Sequence, residues 1–345
     1  MTFISIVRSR KWLKMNKQNI NHKLALICSI SILFIYSVIF PVKAKQISFT
    51  KHQEAQQVAF SYRWNDYKNT EQSMSFKLNN ESIFERFRHL KSYQADFAQK
   101  SILRNIKQQL RKERLAGVNI HYTHQHGETK IEVRGQNETK IAAAYAKIKK
   151  VEQEQTALYY QQNYYQVFTN FDQATGIKVD HRSIANDSVL DLKPLKPLIL
   201  EKVSIKNIRK VTNYVLGFIQ SIPYATLEDR MTSSGAGFNP PLKLLWENQG
   251  DCDSKMTLAA AILRSLMPRI EMALIYIDQH AFIGIAIPAE AGETTIHHEG
   301  IDYLLADPTG PAVLPLGKLG PESELAITQG QYVAESFHAT HLTEE

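Results

Sequence analysis

Cysteine is nearly absent. The chain of 345 residues has two, Cys28 and Cys252. Cys28 sits in an apolar run near the N-terminus, so the body keeps one thiol and can form no internal disulfide. A disulfide-stapled framework is thereby excluded. Acid is missing from the first 44 residues, which hold Arg8, Arg10, Lys11, Lys14, Lys17, Lys23 and Lys43. Without those seven side chains, 34 basic and 34 acidic residues remain, so the formal charge of +7 belongs to this leader. A nucleic-acid partner needs a basic face on the folded part, and the balanced body gives no sign of one. Charge is missing from residues 24–40, a run of 17. Pro41 ends the run, and Val42-Lys43-Ala44 suits a small-residue cleavage site. Residues 1–44 therefore read as a cleaved export signal. The alternative is an uncleaved inner-membrane anchor, since 17 apolar residues lie at the lower limit for a span. Either way the basic flank stays in the cytoplasm and the body lies outside it, periplasmic or otherwise extracytoplasmic. Membrane contact is expected only through residues 24–40 of a retained leader. Cys28, preceded by Ala25-Leu26-Ile27 and early in the run, does not suit lipidation.

An unpaired thiol in an oxidising compartment draws attention to Cys252. A lone cysteine is commonly a small buried hydrophobe. Here Asp251 and Asp253 place it in polar surroundings. Gly250 permits a sharp entry. Behind the thiol, Met256, Leu258, Ala259, Ile262, Leu263 and Leu266 recur at helical spacing up to Met267-Pro268. The cysteine thus opens a helix, where free N–H groups and the dipole favour thiolate. The two aspartates oppose that. Residues 270–277 read as a strand, Asp278-Gln279 as a turn, and His280 as the mouth of a second strand over 281–287. A polar hairpin over 290–300, with His297 and His298 at a solvated tip, leads to a strand over 301–306 that ends in Asp307-Pro308-Thr309-Gly310. Antiparallel neighbours bring Asp307 beside His280, where a carboxylate orients the ring. Thiol, imidazole and carboxylate are the parts of a cysteine-nucleophile site.

The rest of the chain is organised around that segment. Residues 45–187 read as an N-terminal α+β domain with two long helices. Strands are expected over 58–64 and 74–78. Ile83, Phe87, Leu90, Phe97, Ile102, Ile106 and Leu110 suggest one helix from Asn79-Asn80 to about Arg114. Residues 118–122 and 130–133 form a hairpin. Asn137 caps a second helix, with Ile141, Ala144, Ile148, Val151 and Leu158 on one face, reaching about Phe168. Tyr159, Tyr160, Tyr164 and Tyr165 cover a core with amphipathic rings. His121, His124 and His126 near the hairpin tip read as solvated rather than as metal ligands. Asp251 and Asp253 are too few for a calcium site, which takes about six to eight oxygens. No metal or cofactor is expected. Two Lys-Pro pairs suit an extended linker over 188–204. A helix over 205–222 follows, with Ile208, Val211, Val215, Phe218 and Ile219 as its stripe. Residues 205–320 are the catalytic segment, and 321–345 a C-terminal tail.

Gly250-Asp251-Cys252, His280-Ala281-Phe282 and Asp307-Pro308-Thr309, in that order, resemble the transglutaminase-like superfamily of the papain-like cysteine proteinase fold, in particular its bacterial exported members. The resemblance spans roughly residues 205–320. It implies an α+β core in which the cysteine-bearing helix packs on an antiparallel sheet. It also implies Cys252 as nucleophile, His280 as general base and acid, and Asp307 as the orienting carboxylate. The expected activity is acyl transfer at amide bonds of a protein or peptide substrate, with hydrolysis favoured over amine cross-linking. The sequence departs from the family pattern in Phe282, where tryptophan is more frequent, in a compact Cys–His spacing and in a longer His–Asp spacing. The expected oxyanion donor is the Cys252 N–H, with Gln249 or Trp246 as helpers. The alternative is a catalytically inactive scaffold or partner-binding protein of the cell envelope.

Overall fold

Strand alternation starts the architecture. In β2 (Gln57–Asn65) every second side chain, Val58, Phe60, Tyr62 and Trp64, is buried. It lies between β1 (Lys45–Gln53) and β3 (Glu71–Asn79) in an antiparallel sheet. The computed structural model describes residues 45–113, 115–125, 128–228 and 237–338. The leader, with Cys28 and residues 24–40, lies outside them. Among the described residues no helix is long and apolar enough to cross a membrane.

Next come α1 (Asn80–Phe84) and α2 (Ala95–Lys112), then the hairpin of β4 (Val118–Gln125) and β5 (Glu128–Gly135). The long α3 (Glu138–Gln162) follows, with the Asn137 side chain accepting from the Lys140 N–H as its cap. Ile106, Leu110, Val133, Ala144, Ile148 and Val151 give this part a small core of its own. The single helix expected over 80–114 is in fact broken. Residues 85–94 spend their side chains on distant partners: Arg86 on Asp191, Phe87 on the Tyr164 ring and Tyr93 on the Tyr165 ring. Tertiary contacts override helical spacing there. The second helix stops before Phe168. Asn163 donates its side-chain N–H to the Tyr159 carbonyl, and Tyr164 turns the chain at φ +54°. Leu158, expected on the buried face, is 43% exposed. The tyrosine run does cover a core, with Tyr159 and Tyr165 buried against Tyr93 and Tyr160.

A second hairpin, β6 (Tyr165–Thr169) and β7 (Thr175–Val179), leads to α4 (His181–Ser188) and α5 (Leu195–Lys202). The stretch expected as an extended linker is therefore helical. Pro197 is the third residue of α5, where the backbone N–H has no intrahelical partner to lose. Leu195 and Ile199 fix the helix to the core. Next are α6 (Ile208–Ser221), α7 (Pro241–Glu247) and α8 (Cys252–Leu266). The main sheet is built from β8 (Met272–Ile277), β9 (His280–Ile285), β10 (Thr295–His298) and β11 (Ile301–Ala306). Then come α9 (Pro321–Thr328) and β12 (Val333–Phe337). The strands lie antiparallel in the order β10-β11-β9-β8-β12.

Two expectations change in this region. The polar hairpin over 290–300 contains β10, so His297 lies on a strand, bonded at 2.7 Å to Asp302 across the pair and exposed. The segment expected as a tail supplies an edge strand, pinned by buried Arg264, which donates to the Phe337 carbonyl.

One face of the main sheet presents Leu274, Ile283, Ile285 and Leu304 to the cluster containing α8. The opposite face carries Ala273, Ile275, Phe282, Tyr303 and Leu305, with Ile327 of α9. The first sheet belongs to the α8 interior as well. Tyr62 meets Phe218 of α6 edge-on at 5.0 Å, and Trp64 meets Tyr214 at 5.6 Å. The molecule is thus α+β, with a helix bearing the thiol on an antiparallel sheet.

Candidate active site

Cys252 is the first residue of α8. Asp251 caps that helix, its side chain accepting the Ser254 N–H at 3.0 Å. Ahead of it, Gly250 forms an isolated bridge with Tyr224. A Cβ at Gly250 would stand 2.6 Å from Leu244 Cδ1. Glycine is needed there for close packing against α7, not for a left-handed backbone. His280 opens β9 after Gln279, which turns at φ +55°. Asp307 directly follows β11. The pairing of Ala306 with Ile283 puts the ends of the two strands side by side. Alternation then places His280 and Asp307 on the same side of the sheet as Phe282, Tyr303 and Leu305. His280 Nε2 and Asp307 Oδ2 are 2.8 Å apart. The other carboxylate oxygen accepts the Thr309 N–H at 2.8 Å. Both oxygens are committed, so the carboxylate is fixed, and Nδ1 is the imidazole nitrogen not bonded to it.

The thiol and the ring share that cleft. Cys252, His280, Asp253, Gln279 and Tyr276 line a cavity of about 540 Å3. The thiol donates to Asp253 Oδ1 at 3.7 Å and to the Gln279 carbonyl at 4.0 Å. Among the hydrogen bonds of the described residues, none runs from sulfur to imidazole. The three predicted residues are thus gathered, with the ring and carboxylate bonded and the sulfur beside them.

The electrostatics are divided. Burial, then the charges of Asp253 and Asp251, push the Cys252 thiol well up; the backbone N–H groups of Asp253 and Ala281 pull it back in part. That direction favours the protonated thiol in the free chain. Burial alone would lower His280, but the Asp307 hydrogen bond and charge outweigh it and raise the imidazole above its ordinary value. Burial alone would raise Asp307; bonds and charge from His280 and the Thr309 amide leave it lowered. Asp251 is raised to about 7, by burial first and then by Asp253. Asp253 is raised by burial, with the charge of Lys178 opposing.

Several residues here carried no sequence signal. His181 is buried, with Nδ1 3.1 Å from the Tyr276 hydroxyl and Nε2 3.8 Å from Asp253 Oδ2. Burial holds it well below its ordinary value and hence neutral. Lys178 stands 3.6 Å over the Tyr276 ring and 3.2 Å from Glu335. Lys255, fully buried one turn into α8, donates to the carbonyls of Ile222 and Thr309, tying the Cys252 helix to the Asp307 turn. Trp246, expected near the oxyanion, is elsewhere: its ring packs on Phe84 and under Lys51. Neither Trp246 nor Gln249 is among the described residues lining the cleft. Among the described residues no cluster of His, Cys, Asp or Glu could hold a metal ion, and His126 lies outside them.

Gly310 closes the Asp307 turn at φ +65°, and a Cβ there would stand 2.5 Å from the Gln220 carbonyl oxygen. Gly310→Ala is expected to cost about 2–4 kcal/mol, from the left-handed backbone and the clash together. Urea unfolding checks this; a loss below about 0.5 kcal/mol would mean that the turn yields freely. The sequence matches no known family model and no curated protein.

Proposed function

We propose that this chain is an exported cysteine-dependent enzyme acting on amide bonds of polypeptides, with the core of the transglutaminase-like superfamily. One observation carries the reading: a helix-opening thiol and an imidazole bonded to a fixed carboxylate line one cleft. The Cys252 thiol gives its proton to His280 Nδ1 as sulfur attacks the substrate carbonyl carbon. The N–H of Cys252, at the first helical position, has no intrahelical acceptor and would serve the developing oxyanion. His280 passes the proton to the leaving amine as the C–N bond breaks, leaving a thioester. Water, deprotonated by His280, then attacks the thioester and releases acid and thiol. Hydrolysis is favoured over amine transfer because water needs no second site. A resting thiol fits a mechanism in which proton transfer accompanies attack.

The test is iodoacetamide treatment followed by an assay on dye-labelled, unfolded casein. A single adduct at Cys252 should abolish casein turnover. Unmodified protein that leaves casein intact would favour the inactive scaffold, and alkylated protein that still cleaves it would remove Cys252 as the nucleophile.

A further inference from the structure

We propose that the β6–β7 hairpin is the substrate-selecting wall of the cleft, with Phe168 and Phe171 receiving apolar side chains on either side of the attacked amide. This deepens the reading above and rests on it for the identity of the substrate. Two cavities meet at the β8–β9 turn and share Ile277, Gln279 and His280. One, of about 540 Å3, holds the sulfur and is walled by Phe168; the other, of about 770 Å3, holds Asp307 and is walled by Phe171. Both rings come from one hairpin, so one element faces both arms of the groove.

The hairpin is built to hold that position. At its base, Gln166 donates to both oxygens of Glu335, at 2.9 and 3.0 Å, and Lys178 lies 3.2 Å from the same carboxylate. Glu335 is on β12, so the base is fastened to the edge of the main sheet. Phe168 packs edge-on against Tyr276 at 5.5 Å, with the Lys178 ammonium 4.9 Å from its own ring. At the tip, Asn170 takes the Ala174 N–H on its side chain and the Gln173 N–H on its carbonyl. Thr169 and Thr175 bond across the strands at 3.1 Å. A fastened base and a closed tip give Phe171 a defined direction. That ring packs into none of the hydrophobic clusters formed by the described residues, so the fold does not account for it.

Binding can be separated from chemistry. Anisotropy of dye-labelled, unfolded casein is measured against full-length Cys252→Ala protein, alone and combined with Phe171→Ala or Phe168→Leu. Each added change should weaken binding at least tenfold. The same two changes in the chain that keeps its cysteine should leave the rate of iodoacetamide alkylation within twofold, since that reagent needs no wall. The absence of saturable binding, equal affinity in the variants, or a parallel fall in alkylation would each overturn the proposal. Binding that behaves as expected, without turnover by the unsubstituted chain, would instead remove the enzymatic reading and leave the wall in place.

Discussion

Under the proposed mechanism, Asp307→Asn should lower turnover of unfolded casein on the order of 10²–10⁴-fold in a protein that still folds, the range general acid–base catalysis supplies. An amide can keep the Thr309 N–H on its oxygen, as the carboxylate does now at 2.8 Å. It cannot hold a charge beside the imidazole, and its NH2 turned to Nε2 would force the proton onto Nδ1, the nitrogen that the proposed mechanism needs free to accept from the thiol. Titration should change with activity. His280 is raised chiefly through Asp307, so its midpoint should fall in the variant when followed by NMR. The pair also leaves a mark on stability. The raised imidazole contributes fully below its unfolded value of about 6.5 and loses that contribution as pH rises through the folded value. The lowered carboxyl contributes above its unfolded value of about 3.9 and loses it as pH falls through the folded one. The unsubstituted chain should therefore gain stability between those limits, and the variant should lack both edges. A midpoint that stays put, or a loss under tenfold, would mean that Asp307 does not govern the ring.

Lys255 should contribute a rise in stability from pH 7 toward 10, and Lys255→Met should remove that contribution. Burial pushes the Lys255 ammonium down to about 7, against the opposing pull of Asp307 and Asp251. Unfolded, it titrates near 10.4. Between those values the unfolded chain binds the extra proton, so the free energy of unfolding rises with pH, by on the order of 3–4 kcal/mol across the window. Asp251, raised to about 7, acts in the window below. There the folded chain holds the extra proton, and stability falls as pH rises from about 4. Lys178, lowered to about 8 mainly by burial, has the same sign as Lys255. The difference between the two proteins therefore isolates Lys255. Urea unfolding at pH 7.0 and 9.5 measures it, and equal slopes in both would sink the argument. Methionine preserves the length of the side chain but leaves the Ile222 and Thr309 carbonyls unpartnered. That costs about 1–3 kcal/mol for each, set against the relief of removing a buried charge.

The segments around Cys252, His280 and Asp307 were legible because each is a local pattern. An apolar period after an acidic cap marks α8, and short apolar runs with polar turns mark β8, β9 and β11. Antiparallel pairing of neighbouring strands then brings His280 to Asp307. The Lys-Pro pairs suggest an extended linker, but a proline's effect depends on its place: Pro197 falls in the first turn of α5, where it does no harm. The break between α1 and α2 has no local signal, because Arg86, Phe87 and Tyr93 are held by partners roughly 70 to 105 residues away. Lys178, His181 and Glu335 reach the neighbourhood of Cys252 from β7, α4 and β12. No spacing along the chain announces that meeting; only the packing of the hairpin on the sheet edge creates it.

Trp64 and Tyr62 on one side, and Tyr214 and Phe218 on the other, interlock across the junction where the sequence suggested two separable parts. Severing the backbone between residues 188 and 204 would not liberate a working fragment. Each piece would carry off half of an oily seam and expose it to water, so a cut there would unfold the molecule rather than release a domain.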